Sequence, residues 1–344
     1  MPLLEARNLV KCFPLSRGLL GRVRSEPQRV VHAVDGVSFD VEVGETLALV
    51  GESGSGKTTL GRLVLGLIEP TEGRILFEGE DVTRSSAAQS LRLRRQVQVV
   101  FQDPYSSLDP RQRVADIIRE PLDIHGVGTP VERRRHVGEL IEQVHLPQRY
   151  AKSFPHELSG GLRQRVSIAT ALALGPKLIV ADEPVSALDV SVQAQILDLL
   201  AELQRNTGIA YILISHDLGV VEQVSDRVAV MYLGKILETG PVERVFERPE
   251  QPYTRALLSA IPNADPTVEN EPIRLTGDVP TPIDPPAGCP FHPRCWLTVD
   301  ACKHIVPPLL EYDQDHFAAC HVTAAERGMG VLAGNGVQEG VPHG

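Results

Sequence analysis

The chain has 344 residues, 42% apolar and 23% charged, which suits one large domain plus a smaller one with ample material for a core. Its 34 basic and 44 acidic residues give a net charge of −10, which argues against broad electrostatic binding to nucleic acid or anionic lipid. No run approaches about eighteen apolar residues, and the N-terminus "MPLLEARNLVK" lacks a basic region followed by an apolar stretch, so neither a membrane span nor a secretory signal is expected.

Up to about residue 245, short apolar runs alternate with helical patterns, which predicts an α/β fold with a largely parallel sheet. Strands are expected at 45–50, 97–101, 178–182, 211–215 and 227–232. An amphipathic helix is expected over "SVQAQILDLLAELQRN", with Val192, Ile196, Leu199, Leu200 and Leu203 along one face. The stretch 104–176 reads as helical, an inserted helical subdomain. After Phe246 the texture turns proline-rich, so a boundary is expected near 245, with an extension over 246–323 and a glycine-rich, disordered tail over 324–344.

"LVGESGSGKTTL" follows a strand and precedes a helical pattern, and it fits the phosphate-loop pattern from Gly51 to Thr58. Gly51, Gly54 and Gly56 let backbone N–H groups converge on a β-phosphate, and the next helix aims its positive end at the same place. Lys57 adds a full charge against the β- and γ-phosphates, and the Thr58 hydroxyl is a Mg²⁺ ligand. Glu52, Ser53, Ser55 and Thr59 complete the expected nucleotide-binding set of ATP.

"LIVADEP" is an apolar strand ending in Asp182 and Glu183. Asp182 is expected to hold Mg²⁺ and Glu183 to act as general base on the attacking water; two acids merely capping a strand is the alternative reading. "ELSGGLRQR" places Ser159, Gly160 and Gly161 at the start of a helix, a second anion-binding helix start. One nucleotide cannot reach both loops of one chain if the helical subdomain stands apart, so two chains arranged head to tail are expected to close each other's sites. Gln102 in "FQDP" and His216 in "ISHD" complete the set, although a lone histidine at a strand end is more often structural.

These motifs, in this order over about 240 residues, resemble the ATP-binding-cassette ATPases. The resemblance implies a P-loop fold with a RecA-like core, an antiparallel β subdomain and a helical subdomain, here followed by a small cysteine-rich extension. It makes Glu183, His216 and Gln102 catalytic, adds Gln102 to Thr58 and Asp182 as Mg²⁺ ligands, and assigns Phe13 to stack on adenine. The usual glutamine after the signature glycines is Leu162 here, which removes a polar contact toward the ribose. The sequences "FERPEQPYTRALLSAIP", "GDVPTPIDPPAGCPFHPRC" and "HFAACH", and the early insertion "FPLSRGLLGR…HAVDGVSFDV", are similar to those of oligopeptide and dipeptide importer ATPases.

That resemblance implies an ATP hydrolase at the cytoplasmic face of the membrane, powering uptake of short peptides through two separate permease subunits. An extracytoplasmic binding protein would deliver the cargo, and a second, related ATPase would form a heterodimer with this chain. Nickel and glutathione importers share the extension and stay open as alternatives. A soluble cassette ATPase acting on nucleic acid is the reading from a different class, disfavoured by the acidic balance.

Cys289, Cys295, Cys302 and Cys320 are separated by five, six and seventeen residues, with Cys12 far upstream. A reducing compartment disfavours disulfides, and a small proline-rich lobe needs a staple. The spacing is wider than the usual zinc pairs and suits a 4Fe–4S cluster, which members of this importer group carry. Zinc with His292, His304, His316 and His321 as substitute ligands is the alternative, and free thiols the third.

Overall fold

The structure is a computed structural model that describes residues 1–15, 29–261 and 271–329. The middle of the early insertion (16–28) and the tail beyond 329 lie outside the described residues.

Two antiparallel strands open the chain, β1 (Leu4–Pro14) and β2 (Val30–Val41), paired from Leu4↔Val41 to Pro14↔Val30. Leu4 and Ala6 alternate inward; a register shift then resets the pleat, with Asn8 at φ 52, so that Leu9 is buried too. The fully buried β3 (Thr46–Val50) runs through residues 51–56 into helix α1 (Lys57–Val64). The chain then returns to β1 with β4 (Glu72–Phe77) and β5 (Glu80–Asp81), giving an antiparallel sheet of order β2-β1-β4-β5.

Next come β6 (Val97–Val100) and the helices α2 (Val114–Ile124), α3 (Pro130–Gln143) and α4 (Gly160–Leu172). Pro130 at the first turn and a capping box between Thr129 and Glu132 start α3. Ile117, Ile118 and Leu122 of α2, Val137, Leu140 and Ile141 of α3, and Val166 and Ile168 of α4 share one apolar core. No strand interrupts residues 104–176, as the helical reading requires.

The rest of the core follows: β7 (Leu178–Asp182), α5 (Val190–Thr207), β8 (Ala210–Ile214), β9 (Arg227–Tyr232), β10 (Lys235–Pro241) and helix α6 (Pro252–Ser259). Strands β6, β7, β8, β3 and β9 are parallel neighbours. Alternation along β7 divides the core: Ile179 and Ala181 pack with α5 and the helical segment, whereas Leu178 and Val180 pack with α1 and the antiparallel sheet. On α5, Ile196, Leu199, Leu200 and Leu203 are buried together with Leu197, while Val192 is only partly covered.

The extension builds onto this same sheet. Strands β11 (Leu310–Asp313) and β12 (His316–Ala318) continue it antiparallel beyond β10, so the order is β11-β12-β10-β9-β3-β8-β7-β6. Fully buried Glu238 on β10 is the tie. Its carboxylate accepts from the amides of Glu250 (2.7 Å) and Gln251 (3.1 Å) and stands 2.8 Å from His316 Nε2. Tyr232, Tyr253 and Phe291 close the join as a ring cluster with centroids 4.8–5.4 Å apart.

Candidate active site

Four parallel strands deliver the expected residues at their carboxyl ends, where open α/β sheets hold ligands. Residues 51–56 leave β3, Gln102 lies just past β6, Asp182 and Glu183 end β7, and His216 follows β8. The backbone explains the glycines: Gly51 and Gly56 have φ 145 and 107, and an added Cβ would lie 2.1 Å from Met231 O and 2.2 Å from Ala33 O. Ser53, Gly54 and Thr58 are exposed on the loop, Ser55 is buried, and Thr59 is half-buried.

The lysine carries the strongest signal. Lys57 is 7% exposed, yet its ammonium contacts only neutral oxygens: Gly51 O at 2.7 Å, Glu52 O at 3.0 Å and Ser55 Oγ at 3.4 Å. Among the described residues no carboxylate stands within ion-pair reach of it. Burial holds its pKa below the ordinary value, partly offset by the negative charges of Glu183, Asp182 and Glu52. A buried cation without a counter-ion, held by two backbone carbonyls and a hydroxyl of a glycine loop, fits a phosphate.

Opposite it, Glu183 is held by both carboxylate oxygens. Gln102 Nε2 donates to Oε2 at 2.6 Å, and His216 Nδ1 lies 3.0 Å from Oε1. Its backbone sits at φ 47, with its amide donating to Ile214 O, a left-handed conformation that costs about 1–3 kcal/mol. Burial, then the charge of Glu183, pushes Asp182 above the usual carboxylate range. Among the Mg²⁺ candidates, Asp182 ends strand β7, Thr58 lies in the first turn of α1, and Gln102 belongs to the segment leading to the helices.

Ser159 caps α4, its Oγ accepting from Leu162 N at 3.4 Å. The glycines after it are set by packing: a Cβ on Gly161 would lie 2.5 Å from Val192 and one on Gly160 3.1 Å from Leu188. Leu162 packs on the apolar core. Among the described residues no hydrogen bond or ion pair joins residues 159–161 to the 51–58 loop. Phe13 projects from β1, 39% exposed, with Lys11 Nζ 5.1 Å from its ring centre.

The cysteines depart from the metal expectation. Cys289, Cys302 and Cys320 are buried and Cys295 half-buried, and Cys289 N donates to Cys302 O at 2.9 Å. Burial pushes the Cys289 thiol up to about 12, with added repulsion from Cys302, Cys320 and Cys295, so the four share one neighbourhood. Burial likewise pushes Cys295 up to about 11. Yet among the described residues no three His, Cys, Asp or Glu groups are placed to hold one metal ion. Neither the 4Fe–4S nor the zinc ligand set is formed: Cys289 and Cys302 sit in an apolar core with Val228, Tyr232 and Phe291. Three of the substitute histidines have other partners: His292 contacts Cys289 O, His316 Glu238, and His321 Ile305 O.

Two residues escaped the sequence reading. Tyr253 Oη accepts from Glu52 N at 2.8 Å, and Arg294 Nη1 donates to Glu52 Oε2 at 2.7 Å, so the extension grips the phosphate loop. The sequence signals are the arginine between two cysteines in "CPFHPRC" and the tyrosine of "EQPYTRALL".

The geometry agrees with comparisons to known proteins. The family profile "ABC transporter" matches residues 34–186, and "Oligopeptide/dipeptide transporter, C-terminal region" matches 237–302. Proteins named for peptide import ATP binding in Brucella ovis and Brucella abortus are 50% identical over 93% of this chain and 97% of theirs. The dipeptide transport ATP-binding protein DppF of Haemophilus influenzae is 47% identical, covering 93% of this chain and 96% of that one. Among solved structures, the dimeric ATP-binding cassette MJ0796 bound to ADP and Pi superposes with a TM-score of 0.61 at 27% identity, over 70% of this chain and 98% of that one.

Proposed function

The chain belongs to the ATP-binding-cassette ATPases of the peptide-importer group and is an ATP hydrolase, and from that premise we propose that it powers uptake of di- and oligopeptides through separate permease subunits. The observation that carries the ATP chemistry is the buried Lys57, short of an anion, beside Glu183 held at both oxygens. Thr58, Gln102 and Asp182 would hold Mg²⁺, which would supply charge neutralisation at the phosphates. Lys57 and the loop amides orient the triphosphate, Glu183 takes the proton of the attacking water, and His216 contacts the γ-phosphate. Phe13, exposed on β1, stacks on adenine.

The signature loop reads the other nucleotide of a pair. Ser159 sits on the helical segment, and a second cassette facing head to tail brings it to the partner's phosphates. A related ATPase rather than a copy of this chain is the partner in the full importer. Closure draws the helical segments together and moves the permeases.

The apolar groove of Leu67, Phe101, Pro121, Ile124 and Leu174 supports permease docking, with Leu67 54% and Ile124 72% exposed. It adjoins Gln102, so a docked permease and the Glu183 contact share one short segment. Among the described residues no helix is long and apolar enough to cross a membrane; peripheral attachment at the cytoplasmic face follows from the docking reading. An extracytoplasmic binding protein delivers the cargo. For the extension, a 4Fe–4S cluster draws support from the cysteine spacing and from Cys289, Cys295 and Cys302 packing in one apolar cluster. Iron and sulfide near four per chain, with absorbance near 400 nm, would establish it; colourless protein without iron would remove it.

The test of the transport reading is reconstitution with peptide-importer permease subunits from the same organism. Peptide-dependent ATP hydrolysis and uptake into vesicles are expected. Stimulation by DNA or ribosomes instead, with no uptake, would overturn it.

A further inference from the structure

The loop Cys289–Cys295 carries two side chains toward the phosphate loop. Phe291 is fully buried against Tyr232 and Tyr253. Arg294 lies over the Tyr232 ring, 6.0 Å from its centre, with its side chain 9% exposed. One guanidinium nitrogen bonds Glu52 at 2.7 Å and reaches the Tyr232 hydroxyl at 3.4 Å, while Nε is buried without a partner. A guanidinium packed this tightly has one charged partner, and that partner belongs to the phosphate loop. Glu52 is held twice, since its amide donates to Tyr253.

The position of Glu52 gives the pair its consequence. It follows Gly51 directly, its carbonyl accepts from Lys57, and its negative charge acts on that same ammonium. An unpaired carboxylate here would repel a triphosphate and compete for the field of Lys57. We propose that Arg294 is a positioning residue for nucleotide binding: by pairing with Glu52 it fixes the first turn of the phosphate loop, cancels a charge beside the triphosphate, and makes ATP affinity depend on how the cysteine loop is seated. Cys289 and Cys295 bracket the loop that carries Arg294, so whatever holds those thiols also holds the pair. This rests on ATP binding at the loop, for which wild-type binding is the control.

The test is equilibrium binding of a fluorescent ATP analogue to the purified full chain, with turnover measured in the reconstituted complex. R294Q is expected to weaken binding roughly tenfold, the usual scale for stranding one partner of a half-buried charge pair. Its turnover at saturating ATP should stay within about threefold, so KM moves and kcat does not. Adding E52Q to R294Q should recover most of the lost affinity, because no stranded charge remains. R294K, which keeps the charge, should lose less than about threefold and serves if R294Q folds poorly. Wild-type affinity in R294Q, or a double variant as weak as R294Q, would overturn the proposal. So would R294K binding as weakly as a folded R294Q.

Discussion

The phosphate loop and the cysteine loop are both short turns set by glycine or proline, and the sheet holds them against each other, yet they are finished differently. In residues 51–58 the cation stays without a counter-charge: Lys57 is buried against neutral oxygens with no carboxylate, and Ser53, Gly54 and Thr58 face outward. In residues 289–295 nearly everything is closed: Cys289 is buried, His292 contacts the Cys289 carbonyl, and Arg294 has found Glu52. A loop that binds an anion keeps a cation without a counter-charge, whereas a loop that braces the fold has paired its cation. The same contrast separates Glu183, held but with its side chain 19% exposed, from Glu238, held and fully buried.

That contrast can be broken at its two glutamates. E183Q should lower steady-state ATP turnover by about 10²–10⁴-fold, the usual worth of a general base, while ATP binding and thermal stability stay near wild type. Wild-type hydrolysis would remove Glu183 from that role. E238A should do the reverse. It strands two buried amides and His316, so chemical denaturation should show a loss of about 3 kcal/mol. An unchanged midpoint would show that the extension is not tied through Glu238.

A smaller effect sharpens the comparison through pH. Because Asp182 titrates above the ordinary carboxylate range, it takes up a proton early as pH falls. Its contribution to the stability of the nucleotide-free fold is therefore full below the ordinary range and lost as pH rises through the raised value. Mg-ATP binding has the opposite sign, since only ionised Asp182 holds the metal. Calorimetric affinity should fall as the solution is acidified toward the Asp182 pKa, and D182N should bind more weakly with a flatter profile. An equally steep profile in D182N would place the titration elsewhere.

The sequence made the nucleotide site legible because its chemistry is local. A glycine loop, a strand ending in two acids and a serine cap each need only a few consecutive residues, and strands 178–182 and 227–232 fall where the apolar runs place them. The extension resisted for the opposite reason. Strands β11 and β12 are four and three residues long, and their place in the sheet depends on β12 pairing with β10, far upstream. The contact between Arg294 and Glu52 spans 242 residues. Cysteine spacing, finally, tells nothing of where the sulfurs point, and among the described residues no three ligating groups are placed to hold one metal ion.

The central claim, that one chain supplies only half of each ATP site, is met most directly by the structure of the E183Q importer complex with Mg-ATP. The triphosphate bound at Lys57 should be covered by the serine–glycine turn of the facing cassette, and Ser159 should cover the nucleotide on the other side. A nucleotide enclosed by one cassette alone, with Ser159 open to water, would contradict it.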